Sequence, residues 1–114
     1  MLFVLGVVMD SDIPGVRTLI SKLDGIHPSH HSRRRAILRQ IVIVIDNWIR
    51  KNGTGERSII VLAKVLDNIS RNHYYAYAEM LKMTRYPKVY QQAINHLRWA
   101  RLHKKMGGVL SFDV

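Results

Sequence analysis

Apolar side chains recur along most of this chain at intervals of three or four residues, which is the period of an amphipathic α-helix. Glycine, asparagine and proline punctuate the pattern and divide it into five predicted helices. They cover approximately residues 13–24, 32–51, 56–71, 74–83 and 87–105. Asp12 is predicted to be the N-cap of the first helix, with Gly25 as its C-terminal cap. Ser29 or Ser32 is predicted to cap the second helix.

The second predicted helix is apolar on nearly every side at its centre, around the run from Ile41 to Ile45. A helix of this kind is typical of a core position or of a helix–helix interface. A homodimer through residues 37–49 is therefore one expected arrangement. The same run has strand propensity, but the length of the segment and its helical flanks favour a helix.

The two ends of the chain have a different pattern. Residues 2–9 form a short run rich in valine and leucine, which indicates a buried strand or an N-terminal arm. Residues 109–114 alternate between apolar and polar positions, as a strand does. The expected fold class is mainly α, with four to five helices and short N- and C-terminal β-strands in a single domain. Its three parts are 1–28 with the first strand and helix, 29–53 with the central helix, and 54–114 with the remaining elements.

Charge is the most unusual property of the composition. The 114 residues include 18 Lys+Arg against 8 Asp+Glu, a formal net charge of +10. Self-repulsion at this charge costs stability, so a polyanionic partner is expected to offset it. Nucleic acid is the best candidate, because neutralised phosphates release counterions. No apolar run is long enough to span a membrane, and a cytoplasmic or nucleoid- or nucleus-associated protein without membrane contact is expected.

The basic residues concentrate in the last third of the chain. No acidic residue occurs between Glu79 and Asp113, whereas seven basic ones do: Lys82, Arg85, Lys88, Arg98, Arg101, Lys104 and Lys105. On the predicted helix after Pro87, small and apolar residues form one stripe, namely Val89, Ala93, Leu97 and Ala100. Another face is polar and basic, with Arg101 beside it, and carries Gln91, Asn95, Arg98 and Lys105. Amide and guanidinium groups are the side chains that make bidentate contacts with base edges.

The order of elements in this region resembles that of winged-helix domains, a family of helix-turn-helix DNA-binding domains. A short helix over 77–83 precedes the tight turn Thr84–Pro87, and a longer helix, basic residues and a terminal strand follow. The resemblance covers about forty residues and implies that the second helix enters the major groove. It implies that Lys88, Gln91, Gln92, Asn95 and Arg98 face DNA, with Lys104 and Lys105 on phosphate. Since the segment after Leu102 is short for two wing strands, a reduced or absent wing is expected.

A second basic cluster lies at the start of the central helix and comprises Arg33, Arg34, Arg35 and Arg39. Cations at a helix N-terminus oppose the helix dipole. This unfavourable local arrangement favours a functional role such as phosphate contact.

Two other classes of function remain open. Five tyrosines and Trp99 lie among the basic residues, and exposed aromatic rings beside Arg and Lys suit stacking on RNA or single-stranded DNA. The tyrosines are Tyr74, Tyr75, Tyr77, Tyr86 and Tyr90. The chain is alternatively a helical adaptor that docks on an acidic protein surface, such as a viral or phage protein that binds a host factor.

An enzyme is not expected. The eight acids are scattered, and Asp10 and Asp12, the close pair among them, resemble turn and cap residues. Without cysteine there is neither a disulfide nor a thiolate ligand. His96 and His103 are too far apart along one helix to share a metal by themselves. No cofactor and no metal are therefore expected.

Overall fold

In a computed structural model, the chain is described over residues 13–73 and 75–105, and this part contains five α-helices and no strand. The helices are α1 (Val16–Asp24), α2 (His31–Asn52), α3 (Glu56–Asn72), α4 (Ala76–Met83) and α5 (Pro87–Lys105). The prediction of a mainly helical fold is confirmed, and the run with strand propensity lies inside α2. The strands predicted at 2–9 and 109–114 lie outside the described residues.

The start of α1 differs from the prediction. Gly15 precedes the helix with a φ of 89°, in the left-handed region that glycine adopts without steric cost. The Val16 N–H donates to the carbonyl of Ile13 at 3.2 Å, so a turn comes before the helix. The helix therefore begins at Val16, later than a cap at Asp12 would place it. Asp12 itself is outside the described residues. Gly25 does close α1, with its N–H donating to the carbonyls of Ser21 and Lys22.

The predicted serine cap of α2 is wrong. The residue before the helix is His30, which makes no side-chain capping bond. Ser29 is instead hydrogen-bonded to the ring of His27, with 2.8 Å between Oγ and Nδ1. Ser32 is already inside the helix. The local hydrogen bonds between Ser29 and His27 thus replace the predicted cap, because serine hydroxyls commonly bond to nearby groups in loops.

The core collects the apolar faces of all five helices, and α5 packs chiefly along α3. Thr54, just before α3, lines a groove together with Gln92 of α5, and farther along Asp67 meets Arg101. The two helices therefore run in the same direction. The predicted stripe on α5 is confirmed, since its members Val89, Ala93, Leu97 and Ala100 are all buried.

The apolar centre of α2 is used within the chain itself. Five of its side chains are buried in the core, namely Leu38, Ile41, Val42, Ile45 and Ile49. Ile43 faces outward and is 53% exposed. A homodimer through residues 37–49 stays a prediction, and the apolar surface left to it on α2 is centred on Ile43. No helix within the described ranges combines the length and the apolar character needed to cross a membrane.

Candidate nucleic-acid interface

A buried carboxylate on α2 holds the turn between α4 and α5. Asp46 is 9% exposed and lies against residues 84–90. Its Oδ1 accepts hydrogen bonds from the Thr84 hydroxyl at 2.7 Å and from the Tyr90 hydroxyl at 3.3 Å. Its Oδ2 accepts the backbone N–H of Arg85 at 2.9 Å. Three donors from the turn and α5 thus converge on one carboxylate of α2, which fixes where α5 begins.

The turn satisfies most of its own backbone donors. Thr84 Oγ1 donates to Asp46 and accepts the N–H of Tyr86 at 3.0 Å. Pro87 has no N–H and suits the first helical position. Backbone N–H groups in the first turn of a helix generally suit a phosphate. In the structure the donors of Arg85 and Tyr86 are already used, which leaves the amides of Lys88 and Val89 for a ligand.

Tyr90 is the largest of the fully buried side chains among the residues that the structure describes. Burial raises the pKa of the Tyr90 hydroxyl above its ordinary value of about 10, and the nearby negative charge of Asp46 raises the pKa further. The phenol therefore stays protonated in the folded state at pH values where an unfolded tyrosine ionises. Ionisation of the phenol would remove the proton that it donates to Asp46 and would place a second negative charge next to the carboxylate, which would repel it.

This raised pKa predicts a loss of stability at high pH. Below about pH 10 the proton is bound in both states, whereas above it the unfolded chain releases the proton and the folded chain retains it. Between about pH 9 and about pH 11, the wild type is expected to lose about 1.4 kcal/mol of unfolding free energy relative to Tyr90→Phe. Urea denaturation of both proteins at the two pH values measures the difference. Equal losses in the two proteins would contradict a raised pKa.

The predicted reading face of α5 is exposed. Lys88, Gln91, Gln92, Asn95 and Arg98 all face outward, opposite the buried stripe. Gln91 Nε2 donates to Asn95 Oδ1 at 3.1 Å, so these two amides are aligned with each other along the helix. The first three turns of α5 therefore present a row of amide groups and cations on a helix whose opposite side is anchored in the core.

Arg101, farther along α5, has a different environment from the exposed row of amides and cations. Its Nη2 donates to Asp67 Oδ1 at 2.6 Å and to the Ser70 hydroxyl at 2.8 Å, both on α3. Asp67 also pairs with Arg71 at 3.2 Å. Arg101 therefore ties α5 to α3, and its charge is partly neutralised there. Lys104 and Lys105 lie in the last turn of α5.

The arginine cluster at the start of α2 is divided by the fold. Arg34 is partly buried and pairs with Glu79 of α4 at 3.6 Å between Nη2 and Oε1. Arg33 is exposed and lines a groove of about 510 Å³ against the end of α1. Arg35 and Arg39 are exposed. The helical rise places Arg33 roughly 25 Å along α2 from Arg50, so this cluster and the start of α5 are separate regions.

The structure instead gathers three cations at the Asp46 junction. Arg50 at the end of α2, Arg85 in the turn and Lys88 in α5 line two adjoining grooves, of about 110 and 480 Å³, that share Arg85 and Tyr86. None of the three pairs with an acid in the part of the chain that the structure describes. We call this set the basic junction. Arg85 and Lys88 lie in the acid-free segment, but no local signal connects them with Arg50.

The aromatic residues do not form one stacking surface. Tyr90 is in the core, while Tyr77 and Tyr86 pack partly against it. Tyr75 and Trp99 are 70% and 54% exposed, and the Trp99 ring lies 5.2 Å from that of His103. Tyr74 lies outside the described residues. Among the described residues, no three histidine, cysteine or acidic side chains are grouped closely enough to hold a metal ion.

Comparisons of the chain with known protein families, with curated proteins and with solved structures found no significant match. The resemblance of the last third to winged-helix domains therefore stays a prediction, and the segment that would form a wing lies outside the described residues.

Proposed function

We propose that this chain binds duplex DNA in a regulatory or replicative role, with α5 as the helix that enters the major groove. The observation that carries the proposal is the exposed row of Gln91, Gln92, Asn95 and Arg98, which lies directly after the basic junction. Glutamine and asparagine pair in a bidentate manner with adenine, and arginine with guanine. Such a row can therefore read bases while the adjoining cations contact the backbone.

The α4–α5 pair supports this assignment because it has the proportions of a helix-turn-helix. A short helix of eight residues, Ala76–Met83, is joined by three residues to the long helix α5. In such motifs the N-terminal residues of the second helix contact base edges, while the first helix crosses the backbone. The exposed amides lie in that N-terminal part of α5.

Rigidity also supports the proposal. Asp46 holds the start of α5, and the Arg101–Asp67 pair holds its later part against α3. A helix that is held in place before binding costs less binding free energy than a mobile segment that must be ordered on the DNA. The two anchors thus reduce that cost for α5.

The salt dependence of DNA binding tests the proposal. The logarithm of the association constant is expected to fall linearly with the logarithm of the salt concentration, with a slope of about −4 if some four to five phosphates are neutralised. Fluorescence anisotropy with a labelled duplex, over about 50 to 200 mM salt, would then show an affinity loss of about 250-fold. Binding that is weak and independent of salt would overturn the proposal.

Binding to RNA or single-stranded DNA is the second candidate. It is favoured by Trp99, whose exposed ring follows Arg98 directly in the chain. Competition between unlabelled duplex and single strands of equal length separates the two candidates. If single strands compete better and Trp99→Ala removes that advantage, stacking on unpaired bases replaces groove reading as the function.

A further inference from the structure

We propose that the basic junction, Arg50 with Arg85 and Lys88, is a clamp for a single phosphate group at the start of α5. This inference is based on the proposed function, under which the phosphate belongs to the DNA backbone. The clamp would set the register of α5 on the duplex, so that the amides that follow it face base edges. Phosphate contacts generally fix the position of a protein on DNA in this way, whereas base contacts specify the sequence.

The three cations come from different elements and line two grooves that have Arg85 in common. Arg50 is contributed by the last turns of α2, Arg85 by the turn, and Lys88 by the first turn of α5. All three are exposed, and the two grooves that they line adjoin at Arg85. Because exposed like charges repel each other, their convergence without an acidic partner is the arrangement expected of a site that receives an anion.

Asp46, the acid at this junction, leaves the three cations available to bind an anion. Asp46 lines the smaller groove beside Arg50 and Arg85. Its two oxygens accept donors from Thr84, Tyr90 and the backbone of Arg85, so it holds the main chain of Arg85 and forms no ion pair with the guanidinium. Three cations against one carboxylate leave a local excess of two positive charges. Asp46 is thus a positioning residue for the clamp.

The chemistry of the lining suits a phosphate group. Guanidinium groups bind phosphate oxygens in a bidentate manner, and lysine adds a point charge. Thr54 lines the same larger groove as Lys88. The amides of Lys88 and Val89, which the turn leaves unused, supply further donors at the positive end of α5.

Charge-removal variants test the clamp in DNA binding. The triple variant Arg50→Gln, Arg85→Gln, Lys88→Gln is expected to bind duplex DNA roughly 30- to 100-fold more weakly at about 100 mM salt, with a slope less negative by about 1, because one phosphate contact is lost. The matched control removes two arginines and one lysine that are exposed elsewhere, Arg35, Arg39 and Lys22, by the same change to glutamine. It is expected to alter affinity less than about threefold. Equal effects of the two triple variants would overturn the clamp while leaving the proposed function intact.

Titration of the protein with a free phosphate compound, in the absence of DNA, tests the clamp separately from DNA binding. Inorganic pyrophosphate, followed by NMR, is expected to shift the backbone amides of Arg85, Tyr86, Lys88 and Val89 in a saturable manner in the wild type and not in the clamp variant. Unchanged amide spectra far from the junction establish that the variant is folded. Absence of these shifts overturns the clamp. Saturable shifts in a protein that does not bind DNA overturn the proposed function and reassign the clamp to a free phosphate compound.

Discussion

Replacement of Asp46 by alanine is expected to lower the free energy of unfolding by about 3 to 4 kcal/mol. The change leaves three donors without their acceptor, from Thr84, Tyr90 and the backbone of Arg85. A buried donor without an acceptor costs about 1 to 3 kcal/mol, and the exposed position of Arg85 allows water to satisfy part of the loss. Urea denaturation, followed by circular dichroism, measures the change.

Two further variants serve as comparisons for the stability loss of Asp46→Ala. Glu56→Ala removes an exposed acid from the first turn of α3 and is expected to cost less than about 1 kcal/mol, mainly through the helix dipole. Asp46→Asn keeps the size of the side chain but offers one acceptor oxygen in place of two, so an intermediate loss is expected. A loss below about 1 kcal/mol for Asp46→Ala would mean that the turn is held by its own residues and that α5 does not depend on α2.

Removal of two reading amides is expected to abolish most of the sequence preference of the protein. The variant Gln92→Ala, Asn95→Ala is expected to bind the preferred duplex, selected from a random pool, about 30-fold more weakly or worse, because each bidentate contact is worth about 1 to 3 kcal/mol. Affinity for unselected duplex is expected to change little, since the cations of the basic junction remain. Both side chains are exposed, so the stability of the protein is expected to stay within about 0.5 kcal/mol.

The control for this variant removes two exposed polar amides from other helices, Gln40→Ala on α2 and Asn68→Ala on α3. Its affinities for the preferred and the unselected duplexes are expected to match those of the wild type. If the α5 variant retains the full preference for the selected duplex, another surface of the protein reads the bases, even where the salt dependence of binding is steep.

The predictions that succeeded depend on short stretches of sequence. Pro87 is the first residue of α5, and α3 ends at Asn72, one residue after its predicted end, because both effects act through the local backbone. The buried stripe of α5 follows from helical periodicity alone. The predicted C-terminal cap of α1 at Gly25 is confirmed, whereas the predicted N-terminal caps of α1 and α2 were wrong because Gly15 and the side chain of His27 form competing local turns.

The candidate site was predictable only in part. Periodicity alone placed Gln91, Asn95 and Arg98 on the face of α5 away from the core. It gave no sign that Arg34 would pair with Glu79 or that Arg101 would pair with Asp67, since each pair joins residues that are more than thirty positions apart. From the sequence alone, every arginine is an equal candidate for contact with phosphate. In the folded chain, some arginines pair with acids, and the others remain available to bind an anion.

A basic helix without acids and with a polar face could be predicted from the order of residues, because charge and periodicity are local properties of the chain. The position of the start of that helix relative to the rest of the protein depends on how the helices pack. Asp46 and Arg50 are four residues apart on α2, so they extend from nearby positions on that helix. Packing of α2 against the α4–α5 turn brings the carboxylate to the backbone of Arg85 and the guanidinium to the grooves beside it. The basic junction exists because burial of the apolar faces forces these distant segments together.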